Sequence, residues 1–224
     1  MIKPEIILTS DGSHTLSVDE IHETYHSVHG AISESRHVYL NNGYKFLHDL
    51  PEISVLEIGF GTGLNCLLTA LEADQIRVKT HYYSLEKFPI PDQIIRSLNY
   101  PDLTGEYGKV FFEKIHASPW NSGVSISPYF DVTKMEADAL TFDWTGFPGI
   151  DLVYFDAFGP EKQPEMWNSH LFRMIFQKMN TKAVFVTYCA KGSVRRELEK
   201  TGLKMERSPG PAGKREMLRG IKVQ

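Results

Sequence analysis

The chain is 224 residues long and holds only two cysteines, Cys66 and Cys189. Two thiols so far apart give neither a disulfide framework nor a zinc ligand set, so both read as small buried apolar residues. No apolar run approaches the length of a membrane-spanning helix, and the opening MIKPEIILTSDGS lacks the hydrophobic core of a signal peptide. A cytoplasmic location is the expectation. There is no internal repeat and no low-complexity segment. The G-x-S-x-G elbow of serine hydrolases is missing and neither cysteine has an evident partner, which leaves nucleophilic catalysis without support.

What is present is an ordinary globular composition, 42% hydrophobic and 23% charged, long enough for one α/β domain with a full core. The net charge of −4 conceals an asymmetry. Residues 182–224 carry eleven Lys/Arg against four Asp/Glu, and residues 1–181 carry thirteen against twenty-four. Such a basic segment is either a solvated face or a phosphate-facing rim, and composition does not choose.

Residues 1–50 show no α/β unit. Ile6–Leu8 and Thr15-Leu16 predict a hairpin turning at Asp11-Gly12, and the polar, histidine-rich stretch 21–44 predicts helix and loop covering one face. His22, His26 and His29 have helical spacing that could serve a metal, but no cysteine completes a set and no metal is expected. From Ser54 the pattern becomes strand–helix alternation. Strands are expected at 54–60, 79–85, 130–137, 150–155 and 182–187, and helices at 64–73, 91–98, 164–179 and 193–201. Ser193 is the expected N-cap of the last helix. Two short strands, 203–207 and 216–222, should pair antiparallel across Pro-Gly-Pro-Ala-Gly. The division is thus an extension over 1–50 and a domain over 51–224, with a mostly parallel, seven-stranded sheet.

VLEIGFGTGLN (55–65) is the strongest local signal: an apolar strand, then Gly59, Gly61 and Gly63, then a helix. Glycines there let backbone turn tightly and approach a ligand. Leu64 stands where a dinucleotide fingerprint needs its third glycine, and no G-K-[ST] follows for a P-loop. The E-x-G-x-G-x-G arrangement, with Glu57 leading, resembles the first motif of S-adenosylmethionine (SAM) methyltransferases. A carboxylate there suits a ligand carrying an amino group and a sulfonium. Glu86, ending the next strand, stands where Rossmann-like folds hold ribose hydroxyls. Asp138 and Ala139 stand where methyltransferases contact adenine, although an acid in an exposed turn would read the same.

Five segments then coincide with one family: TSDGSHTL (9–16), ETYHSVHGAISESRHVYLNNG (23–43), EIGFGTGLN, DAFGPEKQPEMW (156–167) and GKREML (213–218). Together they resemble the methyltransferase half of the MnmC-type enzymes, which finish 5-methylaminomethyl-2-thiouridine at the tRNA wobble position. The resemblance spans nearly the whole chain and implies a Rossmann-like methyltransferase fold with a C-terminal antiparallel hairpin. It implies SAM as cofactor, tRNA as partner, and methyl transfer to the amine of 5-aminomethyluridine. The FAD-dependent oxidase half of the bifunctional enzymes has no counterpart, so a standalone methyltransferase is expected, relying on another protein for its aminomethyl substrate. Ala157 and Gly159 depart from the family's D-x-F-x-P surroundings, and residues 123–134 match nothing in it. Tyr25, His26, Lys214 and Arg215 fall inside family segments, which implies substrate contacts. Lys191, Arg195 and Arg196 could join them on tRNA phosphates.

Asp156 ends the fourth parallel strand, where ligands of open α/β sheets collect. A carboxylate there can bind an ammonium, orient the amine and stabilise the charge that grows on nitrogen during attack. An ordinary aspartate would be a poor proton acceptor for so basic an amine, so positioning is its first expected role. Capping the following turn is the alternative. Phe158 could stack on a splayed-out uridine or lie in the core, whereas Trp167 reads as core. The rival functions are a small-molecule N-methyltransferase and a non-catalytic SAM- or RNA-binding module.

Overall fold

The computed structural model describes residues 4–223. The first strands form a small sheet of their own. β1 (Glu5–Leu8) and β2 (His14–Val18) make the hairpin expected at Asp11-Gly12, and β3 (Glu23–Thr24) pairs with β2. One side chain ties this sheet to the first helix. Asp11 accepts hydrogen bonds from the Thr9 hydroxyl (2.8 Å), the Ser13 N–H (3.1 Å) and the Ser13 hydroxyl. It also accepts from the N–H and hydroxyl of Ser33, both at 2.8 Å. Ser33 lies in α1 (Ala31–Ser35), which one wider turn over Arg36–Asn41 prolongs. Burial would raise the Asp11 carboxyl, but the donors from Ser13, Ser33 and Thr9 outweigh it and hold the group well below the usual carboxylate range.

The main sheet comprises β4 (Glu52–Ile58), β5 (Lys79–Glu86), β6 (Ser122–Ser127), β7 (Phe130–Glu136), β8 (Ile150–Phe155), β9 (Met179–Thr187), β10 (Leu203–Pro209) and β11 (Glu216–Lys222). Their order is β10-β11-β9-β8-β4-β5-β7-β6. β9, β8, β4, β5 and β7 pair parallel, β11 is antiparallel to both its neighbours, and β6 is antiparallel to β7. The helices are α2 (Leu64–Ile76), α3 (Asp92–Ile95), α4 (Tyr100–Leu103), α5 (Gly105–Ala117), α6 (Ser169–Lys178) and α7 (Gly192–Glu199). None among the described residues is long and apolar enough to cross a membrane.

Strand alternation divides the interior in two. Ile53, Val55, Tyr82 and Tyr154 face α2, α5 and the N-terminal residues Leu16, Val38 and Tyr39. Leu56, Ile58, Val153 and Phe155 face α6, α7 and Trp167. Cys66 and Cys189 are free and buried, one in each core. The order of connection reverses at β4, between β8 and β5, and a crevice opens at the carboxyl ends of these strands.

The sheet has eight strands, not the seven expected. The addition, β6, occupies the segment that matched no family pattern; its serines face outward on an edge and only Ile126 is fully buried, so its apolar signal is weak. α5 is a second addition, because Gly105 and Gly108 mask the stripe of Phe111, Phe112 and Ile115 that buries it. The expected helix over 164–179 is a short turn at Pro164–Met166 followed by α6, which Asn168 caps by accepting from His170 and Leu171 N–H. β9 starts at Met179 rather than 182, with an irregular register before Val184. α7 begins at Gly192 with no side-chain cap, so Ser193 does not serve as one.

Asp11→Asn should lower the melting temperature by about 4–8 °C at pH 7, the equivalent of roughly 2 kcal/mol of lost charge-assisted hydrogen bonding. Because the native carboxyl is depressed, its stabilisation is present above the ordinary value near 4 and lost as pH falls below it. Thermal melts from pH 6 to 3 should therefore show a constant gap between wild type and variant down to about pH 4 and a narrowing gap below it. Curves parallel down to pH 3 would refute the assignment.

Candidate active site

The crevice is a cleft of about 1130 Å³. Its floor is set by backbone. Gly59 N–H donates to the Leu85 carbonyl at 2.9 Å, and Asp156 N–H donates to the Ile58 carbonyl at 3.0 Å, so pairing continues past the formal ends of β4 and β8. Gly59 (φ +94°) lies so near that a Cβ on it would stand 2.8 Å from the Asp156 carbonyl oxygen. At Gly61 (φ +50°) a Cβ would meet the Tyr25 ring at 3.1 Å. Both therefore need the left-handed conformation and the missing side chain. Gly63 caps the start of α2 from beneath and is not part of the cleft lining.

Glu86, expected to take ribose hydroxyls, is itself held by the glycine loop. Its Oε2 accepts from Gly61 N–H at 3.0 Å and its Oε1 from Phe88 N–H at 2.9 Å. Burial raises its carboxyl, and these backbone donors oppose the rise. Asp138 lines the same end, paired with Lys87 at 2.8 Å and capping Leu140 N–H at 3.0 Å; the Lys87 hydrogen bond lowers its carboxyl. Ala139 adjoins it in the lining.

Glu57 does not reach the cleft. It points into the α2 side of the sheet with no exposed surface, its Oε2 accepting from the Ser84 hydroxyl at 2.7 Å and its Oε1 without a partner. Alternation explains this: Ile53, Val55 and Glu57 share one face of β4, and that face is covered by α2. Burial pushes its carboxyl up to about 8, against the pull of the Ser84 hydroxyl, so it is chiefly protonated at neutral pH.

Asp156 faces the other end. Its Oδ1 accepts from the Tyr39 hydroxyl at 2.5 Å and its Oδ2 from the Asn65 amide at 2.8 Å. Burial drives its carboxyl up to about 7, with the Tyr39 hydrogen bond opposing and the Glu34 charge adding to the rise. Its bonds run to side chains from α1's prolongation and α2 rather than to the turn after it. Tyr39 and Asn65 are residues that sequence reasoning missed. Asn65 stood at the end of the glycine motif, and Tyr39 inside a family segment.

Phe158 lines the cleft with its ring edge-on to Tyr25, centroids 5.1 Å apart, while Trp167 lies in the core and donates its indole N–H to the Phe158 carbonyl at 2.7 Å. His26 is buried, with Nδ1 3.0 Å from the Thr15 hydroxyl, and burial pushes it down to about 4, hence neutral. No group of three metal-ligating side chains converges among the described residues. Lys214 reaches into the cleft, but Arg215 is exposed outside its lining. Glu216 pairs with Arg207 rather than with its neighbour Arg215.

Glu57→Gln tests the electrostatics. Glu57 and Asp156 keep protons in the native state that the unfolded chain releases near pH 4, so stability falls as pH rises from about 5 towards 8. Urea unfolding at pH 5, 6, 7 and 8 should show that decline in wild type and a shallower one in Glu57→Gln, by of order 1 kcal/mol per pH unit. Equal slopes would mean Glu57 titrates normally.

Residues 129–223 match a protein family described as S-adenosyl-L-methionine-dependent methyltransferase. Over 214 residues, 88% of this chain, the sequence is 32% identical to the tRNA 5-methylaminomethyl-2-thiouridine biosynthesis bifunctional protein MnmC of Idiomarina loihiensis, of which it covers 35%. It is 28% identical over 245 residues, 97% of this chain, to the protein of the same name from Actinobacillus pleuropneumoniae, again covering 35% of it. The chain thus spans about a third of the length of these relatives. Among solved structures, MnmC2 from Aquifex aeolicus shares the fold with a TM-score of 0.78 at 24% identity, over 100% of this chain and 72% of that one. Residues 129–223 are thus similar to the S-adenosyl-L-methionine-dependent methyltransferases, and the chain as a whole shares the fold of MnmC2.

Proposed function

We propose that the chain methylates the aminomethyl nitrogen of 5-aminomethyl-(2-thio)uridine at the tRNA wobble position, giving 5-methylaminomethyl-(2-thio)uridine. The observation that carries this reading is Asp156, a carboxylate at the cleft floor whose proton affinity has been moved to about 7. That exceeds what the sequence suggested, because an ordinary aspartate would be too weak a base for the amine.

The glycine turn leaves bare backbone against the cleft, and Glu86 presents a carboxylate beside it whose remaining lone pairs can take hydroxyls. This fits the adenosine part of SAM. Gly59, Gly61, Glu86, Asp138 and Ala139 would hold it, with Gly63 and Glu57 supporting the turn from beneath. When bound, SAM supplies an electrophilic methyl whose sulfur leaves as a neutral thioether. Asp156 binds the acceptor ammonium and takes one of its protons, freeing the lone pair for attack, and the carbonyl oxygen of its carboxyl group then accepts a hydrogen bond from a remaining N–H as positive charge grows on the nitrogen. Tyr39 and Asn65 fix the carboxylate so that this geometry needs no reorganisation. Phe158 and Tyr25 form an aromatic wall on which a uracil ring can stack, and neutral His26 closes it without adding a positive charge.

Lys214 and Arg215 would meet the tRNA. The rest of the C-terminal basic surface is largely neutralised: Lys191 pairs with Glu161, Arg195 with Glu199, Arg207 with Glu216 and Arg219 with Glu206. This pairing favours the second reading, a small-molecule amine as acceptor. On either reading a separate reaction must first create the primary amine, and on the tRNA reading the site of action is the cytoplasm.

The test is transfer of labelled methyl from SAM to two tRNA pools, with and without wobble aminomethyluridine, by wild type and Asp156→Asn. Label in methylaminomethyluridine from the first pool alone is expected. The variant should lose about 10²–10⁴-fold in kcat/KM while keeping SAM affinity. Wild-type kcat/KM should rise with pH through about 7 as Asp156 ionises. No label in either pool, with SAM bound, would move the acceptor to a small molecule.

A further inference from the structure

Lys214 lies on the loop between β10 and β11, and its ammonium nitrogen is 2.7 Å from Glu34 Oε1 and 4.0 Å above the centre of the Tyr188 ring. All three residues line the cleft. Glu34 is the least exposed carboxylate of any ion pair among the described residues, its side chain 8% exposed, and its second oxygen accepts from Ser27 N–H at 2.7 Å. Tyr188 is fixed by donating its hydroxyl to the Ala157 carbonyl at 2.9 Å, one residue from Asp156. Tyr39, which donates to Asp156, lies five residues after Glu34 along the same helical stretch.

A desolvated carboxylate on one side and an aromatic face on the other make a setting for a primary alkylammonium. A surface salt bridge would need neither the burial of Glu34 nor the ring. The group now in that setting is a CH₂–NH₃⁺ terminus, the same chemical unit that the acceptor carries. We propose that Glu34 and Tyr188 form the binding site for the acceptor's primary ammonium, and that Lys214 is its resident occupant, displaced when the acceptor enters. This deepens the amine-acceptor reading above and rests on it.

Displacement has two consequences. A hydroxymethyl group of similar size brings no charge to exchange for the lysine, so the site discriminates amine from alcohol before chemistry begins. Once displaced, Lys214 swings on a long flexible stem at the cleft mouth, its side chain 34% exposed, and is free to face a phosphate. The acceptor ammonium then sits in the cleft that Asp156 also lines, where it can give that carboxylate a proton.

The first arm of the test needs no catalysis. Melting of wild type, Lys214→Ala and the double variant Lys214→Ala/Glu34→Gln is compared in propylammonium chloride and in potassium chloride of equal concentration. Propylammonium should raise the melting temperature of Lys214→Ala alone, by about 3–6 °C at ten times its dissociation constant. Unchanged SAM affinity checks that the variant is folded, and Lys214→Met replaces it if it is not. In the second arm, Glu34→Gln should raise KM for aminomethyl tRNA at least 10-fold with SAM affinity unchanged. No propylammonium-specific rise in Lys214→Ala, or an unchanged KM in Glu34→Gln, overturns the proposal. If wild type methylates no aminomethyl acceptor, the function proposed above fails, and the melting arm still decides whether Glu34 and Tyr188 bind an ammonium.

Discussion

The site depends on how closely the ends of β4 and β8 approach. Gly59 sits against the Asp156 carbonyl with no room for a side chain, and hydrogen bonds from Gly59 to Leu85 and from Asp156 to Ile58 carry the pairing one residue beyond the strands. That continuity is what places three carboxylates of different strands around one opening. Glu86, Asp156 and Asp138 are separated widely in sequence, yet each stands at or just past a strand end within the same crevice. A side chain at residue 59 would part β4 from β8 and move the acceptor end relative to the turn.

The buried acids divide by depth. Glu57 lies under α2 where no solvent reaches, and its most stable form at neutral pH is neutral. Asp156 borders the cleft and has two donors, which brings it back to a value where ionised and protonated forms coexist. Glu86, near the surface, is gripped by two backbone N–H groups. Burial thus raises all three carboxyls, and the donors each receives oppose the rise.

Much of this was legible in the sequence where the pattern is dense. The strand periodicity of 54–60, the glycines and the apolar run before Asp156 each have one reading, and the structure agrees with the strands and helices built on them to within a few residues. The losses came where the signal is shared. Alternation puts Glu57 on a strand face, but which face is covered depends on where α2 packs. β6 is an edge strand of three serines and a glycine with little apolar signal, and α5 begins with glycines whose cost is repaid by Phe111, Phe112 and Ile115 in the core. The partners of Asp156 were hidden for another reason. Tyr39 is 117 residues away, and no local spacing announces a hydrogen bond that only the tertiary fold creates.

The placement of β11 between β9 and β10 sets an order on how the molecule can assemble. β10 is earlier in the chain, yet its only neighbour in the sheet is β11, so it has no partner until the strand after it has been made. The edge of β9 stays open for the same interval. Lys214 rides on the loop between these two strands. The glycine turn and the cradle beside it can form from residues already present, whereas the Lys214 side of the cleft is completed only when the sheet closes. Lys214 is therefore the last of the cleft's lining residues to be made, after every other residue of both its ends.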